Sequence, residues 1–143
     1  MTRTREIANT PEKGQVRYHL YKDVIDRYLD SMNDGYYLEA ITLMESLITD
    51  RLESALIFYL KKTPSQVFLP LGDALSPFKD QGIISDQLYS RIDEWRKSRN
   101  QALHEIAKIE AGTTPVFEDR YSAQQSIDKD GYDVFKKINE ELK

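Results

Sequence analysis

The 143-residue chain contains no cysteine, and this absence excludes disulfide scaffolds, thiolate zinc sites and cysteine nucleophiles together. Long apolar runs are also missing: the longest, at residues 55–60, is far too short to span a membrane, and residues 1–13 lack the apolar core of a signal peptide. No glycine-rich run follows a strand pattern, which excludes phosphate loops and dinucleotide-binding folds. We therefore expect one cytoplasmic domain over residues 1–143 that has no membrane partner and needs no cofactor.

Positive charge is scarce relative to negative charge. Lys and Arg number 20 against 24 Asp and Glu, for a net charge of −4. This balance argues against a surface that holds nucleic acid by bulk attraction, although a local cluster of cations can still bind phosphate. The main cluster is formed by Arg91, Arg96, Lys97 and Arg99.

Apolar residues recur at helical spacing along most of the chain, and no stretch alternates in the two-residue rhythm of a half-buried strand. This pattern predicts an all-α protein, divided by prolines, turn residues and capping residues. The predicted segments are a flexible N-terminus at 1–14, helices at 15–32 and 36–62, an irregular stretch with a short helix at 64–84, a long helix from Ser85 to about residue 110 closed by Gly112, a connecting segment at 112–129, and a final helix at 130–142.

The first two predicted helices carry apolar faces that we expect to pack into the core. The second has the denser face and is expected to contribute most. In the first helix the residues are Val16, Leu20, Val24, Tyr28 and Met32, and in the second they are Ala40, Ile41, Met44, Leu47, Ile48, Leu52, Ala55 and Tyr59.

The helix that begins at Ser85 has an apolar face with one interruption, which is Arg99. A guanidinium that faces a core is costly unless it is paired, hydrogen-bonded or open to a cleft, so this position needs an explanation. Steps of three and four residues along this face give Leu88, Ile92, Trp95, Arg99, Ala102, Ile106 and Ile109.

Asn100 and His104 lie beside that face, one turn apart and separated by about 40° around the helix axis, whereas Arg99 and His104 are about 140° apart. Two interpretations remain open. In one, these side chains form a chemical site with phosphate-binding cations around it. In the other, Arg99 pairs with an acid such as Glu45 and His104 is an ordinary surface residue. The other histidine, His19, has no polar cluster around it and is expected to be structural or solvated.

The stretch RNQALH at residues 99–104 resembles the Arg-(four to six residues)-His motif of HEPN domains (higher eukaryotes and prokaryotes nucleotide-binding), in the common form with asparagine after the arginine. The resemblance extends to Trp95, one turn before the motif, and to the amphipathic stretch YYLEAITLMESLITDRLESAL upstream, and it covers roughly residues 18–110. It implies a four- to five-helix up-and-down bundle that forms homodimers through the motif helix. It also implies a metal-independent endoribonuclease of a toxin, phage-defence or RNA-processing system, although other members are catalytically silent.

Carried over to this chain, the resemblance implies a catalytic pair of Arg99 and His104 with Asn100 as a polar helper. Glu45 is a possible supporting residue because of its place on the second helix, and we expect Arg96, Lys97 and Arg91 to bind RNA. The implied partners are RNA, a second copy of the chain, and an antitoxin or other regulatory protein. Subfamilies that a nucleotidyltransferase inactivates have tyrosine two residues after the histidine, where this chain has Ile106, so that regulation is not expected.

Cleaving RNA without a metal ion requires a base for the ribose 2′-hydroxyl, an acid for the leaving oxygen, and positive charge for the phosphorane. A single His104 cannot serve both ends of the bond, but two copies that meet along this helix would supply two His104 and two Arg99. The main alternative is a helical protein-interaction module in which Arg99 anchors an interface. A di-metal site is disfavoured, because Gln101 stands where a Glu-x-x-His pair needs glutamate.

Overall fold

The computed structural model describes residues 5, 6, 8–61, 69–105, 108, 112 and 117–142. Across these residues the protein is all-helical and contains no strand, which confirms the predicted all-α class. The five helices are α1 (Pro11–Asp34), α2 (Tyr37–Tyr59), α3 (Leu71–Leu75), α4 (Asp86–Glu105) and α5 (Phe117–Glu141), and one 3₁₀ turn (Ser76–Phe78) follows α3.

Capping residues explain where α1 begins and ends. The Thr10 side chain accepts a hydrogen bond from the backbone N–H of Lys13, and Pro11 occupies the first turn, where a missing N–H costs nothing. At the other end Gly35 adopts a left-handed φ of 82°, so the chain reverses within two residues. Helices α1 and α2 are therefore adjacent and antiparallel.

Helix α2 is the centre of the core, because it packs against both α1 and α5, while α4 packs against α5. The predicted face of α2 is buried, with the exception of Tyr59, which is 37% exposed. Its buried members are Ala40, Ile41, Met44, Leu47, Ile48, Leu52 and Ala55.

Helix α5 begins at Phe117, so the predicted connecting segment at 112–129 is wrong over most of its length. Core-facing positions continue through this region at helical spacing, but two of them carry Gln124 and Asp128, which are 4% and 0% exposed. Apolar periodicity could not find a helix whose inward-facing positions are polar.

The N-terminal part of the chain also differs from the prediction. Within the predicted flexible segment 1–14, Arg5 is buried and its guanidinium pairs with Asp50 and Glu53 of α2. Conversely, Val16 and Leu20, which were expected in the core, are 68% and 60% exposed. The ion pairs of Arg5, rather than apolar packing by Val16 and Leu20, therefore attach the N-terminal segment to α2.

None of the helices within the described ranges is long and apolar enough to cross a membrane.

Candidate active site on helix α4

Helix α4 starts as predicted at a serine cap. The hydroxyl of Ser85 accepts a hydrogen bond of 3.1 Å from the backbone N–H of Leu88. Glu141 near the end of α5 accepts from both the backbone N–H and the hydroxyl of Ser85, at 2.7 and 2.9 Å. These bonds attach the start of α4 to the end of α5. They thereby set the direction of α4, the helix that carries the motif residues.

The predicted apolar face of α4 is buried up to the motif: Leu88, Ile92 and Trp95 are each at most 2% exposed. The indole N–H of Trp95 donates to the backbone carbonyl of Ile127 at 2.9 Å. This bond satisfies the polar atom of a buried ring and holds α4 against α5 one turn before Arg99.

Arg99 follows on the same face with a side chain that is 14% exposed. Its Nη2 lies 2.6 Å from Oε1 of Glu45 on α2, and its buried Nε has no hydrogen-bond partner among the described residues. Glu45 therefore neutralises Arg99, which is the pairing named in the second of the two interpretations, where His104 is an ordinary surface residue. Because its Nε–H has no acceptor among these residues, this guanidinium can still donate a further hydrogen bond.

His104 is exposed and Asn100 is half-buried, both in the last two turns of α4. His104 is also the basic residue of the last helical turn, where the exposed carbonyls favour a positive charge. The side chain of His104 is thus open to solvent, close in sequence to a guanidinium that is held in place by Glu45.

The other cations of α4 are engaged with carboxylates. Arg96 and Lys97 pair with Asp93 at 2.8 and 3.1 Å, and these hydrogen bonds, first from Arg96 and then from Lys97, lower the pKa of Asp93. The single carboxylate of Asp93 therefore offsets one of the two positive charges that the sequence suggested for RNA binding, and the Lys97 side chain stays 67% exposed.

Arg91 is neutralised in the same way by α5. Its guanidinium pairs with Asp130 at 2.8 Å and with Asp133 at 2.9 Å. The hydrogen bond with Asp133 is the main reason that the pKa of Arg91 is raised, and the same bond lowers the pKa of Asp133. Arg91 thus serves the packing of α4 on α5.

Sequence reasoning missed the three aspartates that pair with these cations. The pairing of Asp93 could have been predicted from helix spacing. Asp93 precedes Arg96 by three residues and Lys97 by four, which places all three on one helix surface. Asp130 and Asp133 could not be found, because their contact with Arg91 depends on how α5 packs against α4.

Three further expectations concern His19, metal binding and the end of α4. His19 is exposed on α1, with its ring edge against Tyr18. Among the described residues no group of histidine, aspartate and glutamate is arranged to hold a metal ion. Within the described residues α4 ends at Glu105 and Lys108 is not helical, so α4 stops short of the predicted end near residue 110 and Gly112, with a left-handed φ of 81°, does not close it. Ile106 and Ile109 lie outside the described residues.

No protein-family model, no curated protein and no solved structure matches this chain.

Proposed function

We propose that this protein is a metal-independent endoribonuclease of the HEPN type, which acts as a homodimer in the cytoplasm and has its active site at the motif end of α4. The all-helical architecture is compatible with the proposed HEPN-like up-and-down bundle. A toxin, phage-defence or RNA-processing role, with an antitoxin or other regulatory partner, belongs to the same proposal.

The observation that carries the proposal is the state of Arg99. A guanidinium that is 14% exposed lies at the end of a buried apolar face, five residues before an exposed histidine, and its buried Nε has no hydrogen-bond partner among the described residues. Burial of a charged group is costly, and a structural ion pair alone is replaced by apolar residues at little or no cost in many proteins. A need for positive charge at this position accounts for its presence.

In the proposed mechanism His104 acts as the general base or general acid on the ribose 2′-hydroxyl and the leaving 5′-oxygen. Histidine suits both steps because its ordinary pKa of about 6.5 makes both protonation states accessible near neutral pH. The 2′-oxygen attacks the adjacent phosphorus, the P–O5′ bond breaks, and the products carry a 2′,3′-cyclic phosphate and a 5′-hydroxyl.

Arg99 would stabilise the phosphorane, whose equatorial oxygens carry the developing charge. Glu45 holds the guanidinium before RNA binds, and Asn100 orients either His104 or the phosphate. The second copy supplies the second histidine, because one imidazole cannot act on both sides of the scissile bond.

The test compares His104→Ala and Arg99→Ala with the unmodified protein on a structured RNA in the presence of chelator. We expect each substitution to reduce cleavage by at least about 100-fold, the typical contribution of one general acid or base, while helicity and oligomeric state stay unchanged. His19→Ala is the matched control, because His19 is the only other histidine and is also exposed. Cleavage that survives His104→Ala at full rate would rule out the assignment.

A second candidate function is a catalytically silent interaction module. The observation that favours it is the pairing of every cation in the predicted basic cluster with a carboxylate. For this candidate, RNA in chelator remains intact at all protein concentrations, and Arg99→Ala changes binding to a protein partner instead.

A further inference from the structure

A second site lies at the other end of the bundle. A cavity of about 670 Å³ opens between the first half of α1, the last part of α2 and the end of α5, with residues of the N-terminal segment along one side. Phe58, which lines this cavity, is thirteen residues beyond Glu45 on α2 and therefore about 20 Å further along the helix axis. The cavity is separate from the motif end of α4, and nothing in the proposed nuclease mechanism uses it.

The cavity has aromatic walls that solvent can reach. Phe58 and Tyr18 are 68% and 65% exposed, and Tyr59 is 37% exposed. The rings of Phe58 and Tyr59 meet edge to face with centroids 4.8 Å apart. A cluster of exposed rings at a concave surface is unusual for a protein surface and favours contact with another flat apolar group.

Arg51 supplies positive charge to the same cavity. Its Nε donates to the side-chain oxygen of Asn139 at 2.9 Å, and its Nη2 donates to the backbone carbonyl of Leu142 at 2.8 Å. Both acceptors are neutral, and within the described parts of the chain no carboxylate lies within 4 Å of Arg51. Among the described residues the positive charge of Arg51 is therefore unpaired, and some of its N–H donors have no acceptor.

The two neighbouring arginines differ from Arg51 in this respect. Arg5 and Arg17 also line the cavity, but both pair with Asp50, and Arg5 pairs in addition with Glu53. The Lys61 ammonium lies 5.8 Å from the centroid of the Phe58 ring, which brings a second positive charge to the aromatic side of the cavity. Glu6 also lines the cavity but pairs with Lys13, so Arg51 and Lys61 leave the surroundings of the exposed rings positive although the whole chain is acidic.

We propose that this cavity is a binding site for an aromatic anion, a flat ring system that carries a carboxylate or a phosphate. The rings of Tyr18, Phe58 and Tyr59 would hold the flat body, and Arg51 would bind the anionic group with its remaining N–H donors. The volume lies within the range of about 300 to 1,000 Å³ that is typical of small-molecule sites. A neutral apolar ligand would leave the charge of Arg51 unused, and a simple inorganic anion would leave the rings uncovered.

The test uses 1-naphthyl phosphate and 2-naphthoate as aromatic anions, with 2-naphthylmethanol and inorganic phosphate as matched ligands that lack one of the two features. Binding is measured by calorimetry and by amide chemical shifts of the full chain. We expect both aromatic anions to bind with shifts at Tyr18, Arg51 and Phe58, and the tighter of them identifies the anionic group. The two control ligands should bind at least about tenfold more weakly, the loss expected for one charge-assisted hydrogen bond or one ring contact.

Two substitutions test the two parts of the site. Phe58→Ala removes an exposed ring without opening the core, and Arg51→Gln removes the charge while keeping an amide donor for Asn139. Each should weaken binding of the aromatic anion by at least about tenfold. Leu29→Ala, at an exposed apolar position of α1 that does not line the cavity, is the control and should leave the affinity unchanged.

Three results would overturn the proposal. The first is equal affinity for 2-naphthylmethanol and 2-naphthoate, which would show that Arg51 takes no part. The second is unchanged affinity in Phe58→Ala. The third is that the protein forms a dimer, that Phe58→Ala dissociates this dimer, and that aromatic anions do not. This result would show that the rings contact a second copy of the chain. None of these results depends on whether the protein cleaves RNA.

Discussion

Arg99 and Glu45 form the ion pair on which the proposed active site depends. The arginine is 14% exposed and the glutamate 28% exposed, so the pair is shielded enough from water to be stronger than an ordinary surface pair. Its position between α2 and α4 means that each partner restricts where the other can lie. In the proposed nuclease Glu45 would be a positioning residue, and its effect on cleavage should pass through Arg99.

A double-mutant cycle with Glu45→Gln, Arg99→Gln and the double variant measures this dependence. We expect a coupling energy of about 1 kcal/mol or more in the free energy of unfolding, because residues in direct contact typically couple by about 0.5 to 3 kcal/mol. Chemical denaturation provides the measurement. Additive effects of the two substitutions would show that the pair contributes nothing to stability.

Asp128 is a buried acid of a different kind. Its side chain is fully buried, and neither carboxylate oxygen has a hydrogen-bond partner in the described structure. Burial raises its pKa to about 8, so the carboxyl group is mostly protonated at neutral pH. The nearby hydroxyl of Tyr28 donates to the backbone carbonyl of Asp128 at 2.9 Å and leaves the carboxyl group without a partner.

This shift predicts a specific dependence of stability on pH. The folded protein keeps its Asp128 proton up to about pH 8, whereas the unfolded chain loses it near the ordinary pKa of about 3.9. Stability therefore falls as pH rises from about 4 to about 8 and changes little from this group above that range. Asp128→Asn removes this pH dependence. The free energy of unfolding of the variant minus that of the natural protein should therefore increase by roughly 2 to 4 kcal/mol from pH 5 to pH 8.

Urea denaturation of both proteins at several pH values tests this expectation, with Asp23→Asn as a control at an exposed aspartate of α1. The control should run parallel to the natural protein at every pH. If the free energy of unfolding of Asp128→Asn also follows that of the natural protein at every pH, Asp128 is ionised in the folded state and has a partner outside the described contacts.

At the scale of elements, the contact between α4 and α5 depends on one glycine. A Cβ atom added to Gly131 of α5 would lie 2.7 Å from Nε1 of Trp95 and 2.8 Å from Cε2, closer than side chains tolerate. The glycine therefore allows the indole to lie against the α5 backbone, where its N–H reaches the carbonyl of Ile127. The orientation of the motif residues on α4 follows from this contact.

Gly131→Ala should destabilise the protein by about 1 to 3 kcal/mol, the usual cost of overpacking, even though alanine favours helix more than glycine does. Gly14→Ala is the matched control, because Gly14 is also helical and an added Cβ meets nothing within 4 Å. The control should gain up to about 1 kcal/mol. Thermal unfolding of both variants is the measurement, and equal stabilisation by both would contradict the close contact with Trp95.

The elements also show how far the sequence predicts this fold. Helix α2 and the start of α4 were predictable because their signals are local: a dense apolar face in one case and a serine cap in the other. The first half of α5 was not, since Gln124 and Asp128 occupy inward positions where periodicity looks for apolar residues. Val16 and Leu20 show the opposite error, because an apolar residue at helical spacing is buried only if another element covers it.

The candidate site shows the same division between local and distant information. Positions of Arg99, Asn100 and His104 around α4 follow from helical geometry alone. Which acid reaches Arg99 depends on how α2 packs against α4, and the sequence suggested Glu45 only from its place on the second helix. The pairing of Arg91 with Asp130 and Asp133 gave no signal in the sequence, because it depends on how α5 packs against α4.

For the whole molecule, the internal pairing of α4 cations predicts how RNA binding responds to salt. If Arg96 and Lys97 stay with Asp93 and the phosphate takes the place of Glu45 on Arg99, the main phosphate contacts of a dimer are its two Arg99 side chains. Each neutralised phosphate of a single strand contributes about −0.7 to the slope of log affinity against log salt concentration, so we expect a slope of about −1.4. Filter binding of RNA to His104→Ala, which binds without cutting, gives this slope.

Releasing the two paired cations should change that slope. Asp93→Asn removes the carboxylate shared by Arg96 and Lys97, so four more cations become available in a dimer and the slope should steepen toward about −4. Glu94→Gln is the control, because Glu94 is a neighbouring exposed acid that forms no such pair within the described helices, and it should leave the slope near its starting value. A steep slope before any substitution would show that RNA already displaces Asp93 from these side chains.

The most direct measurement of the central claim is the chemistry of the RNA ends produced in chelator. If two copies of α4 bring His104 and Arg99 to one phosphate, the natural protein should release fragments with a 2′,3′-cyclic phosphate and a 5′-hydroxyl, and a single 2′-deoxy substitution at the cleaved nucleotide should stop the reaction there. Intact RNA at every protein concentration, or cleavage that persists at the 2′-deoxy position, would contradict the claim that this site is a ribonuclease.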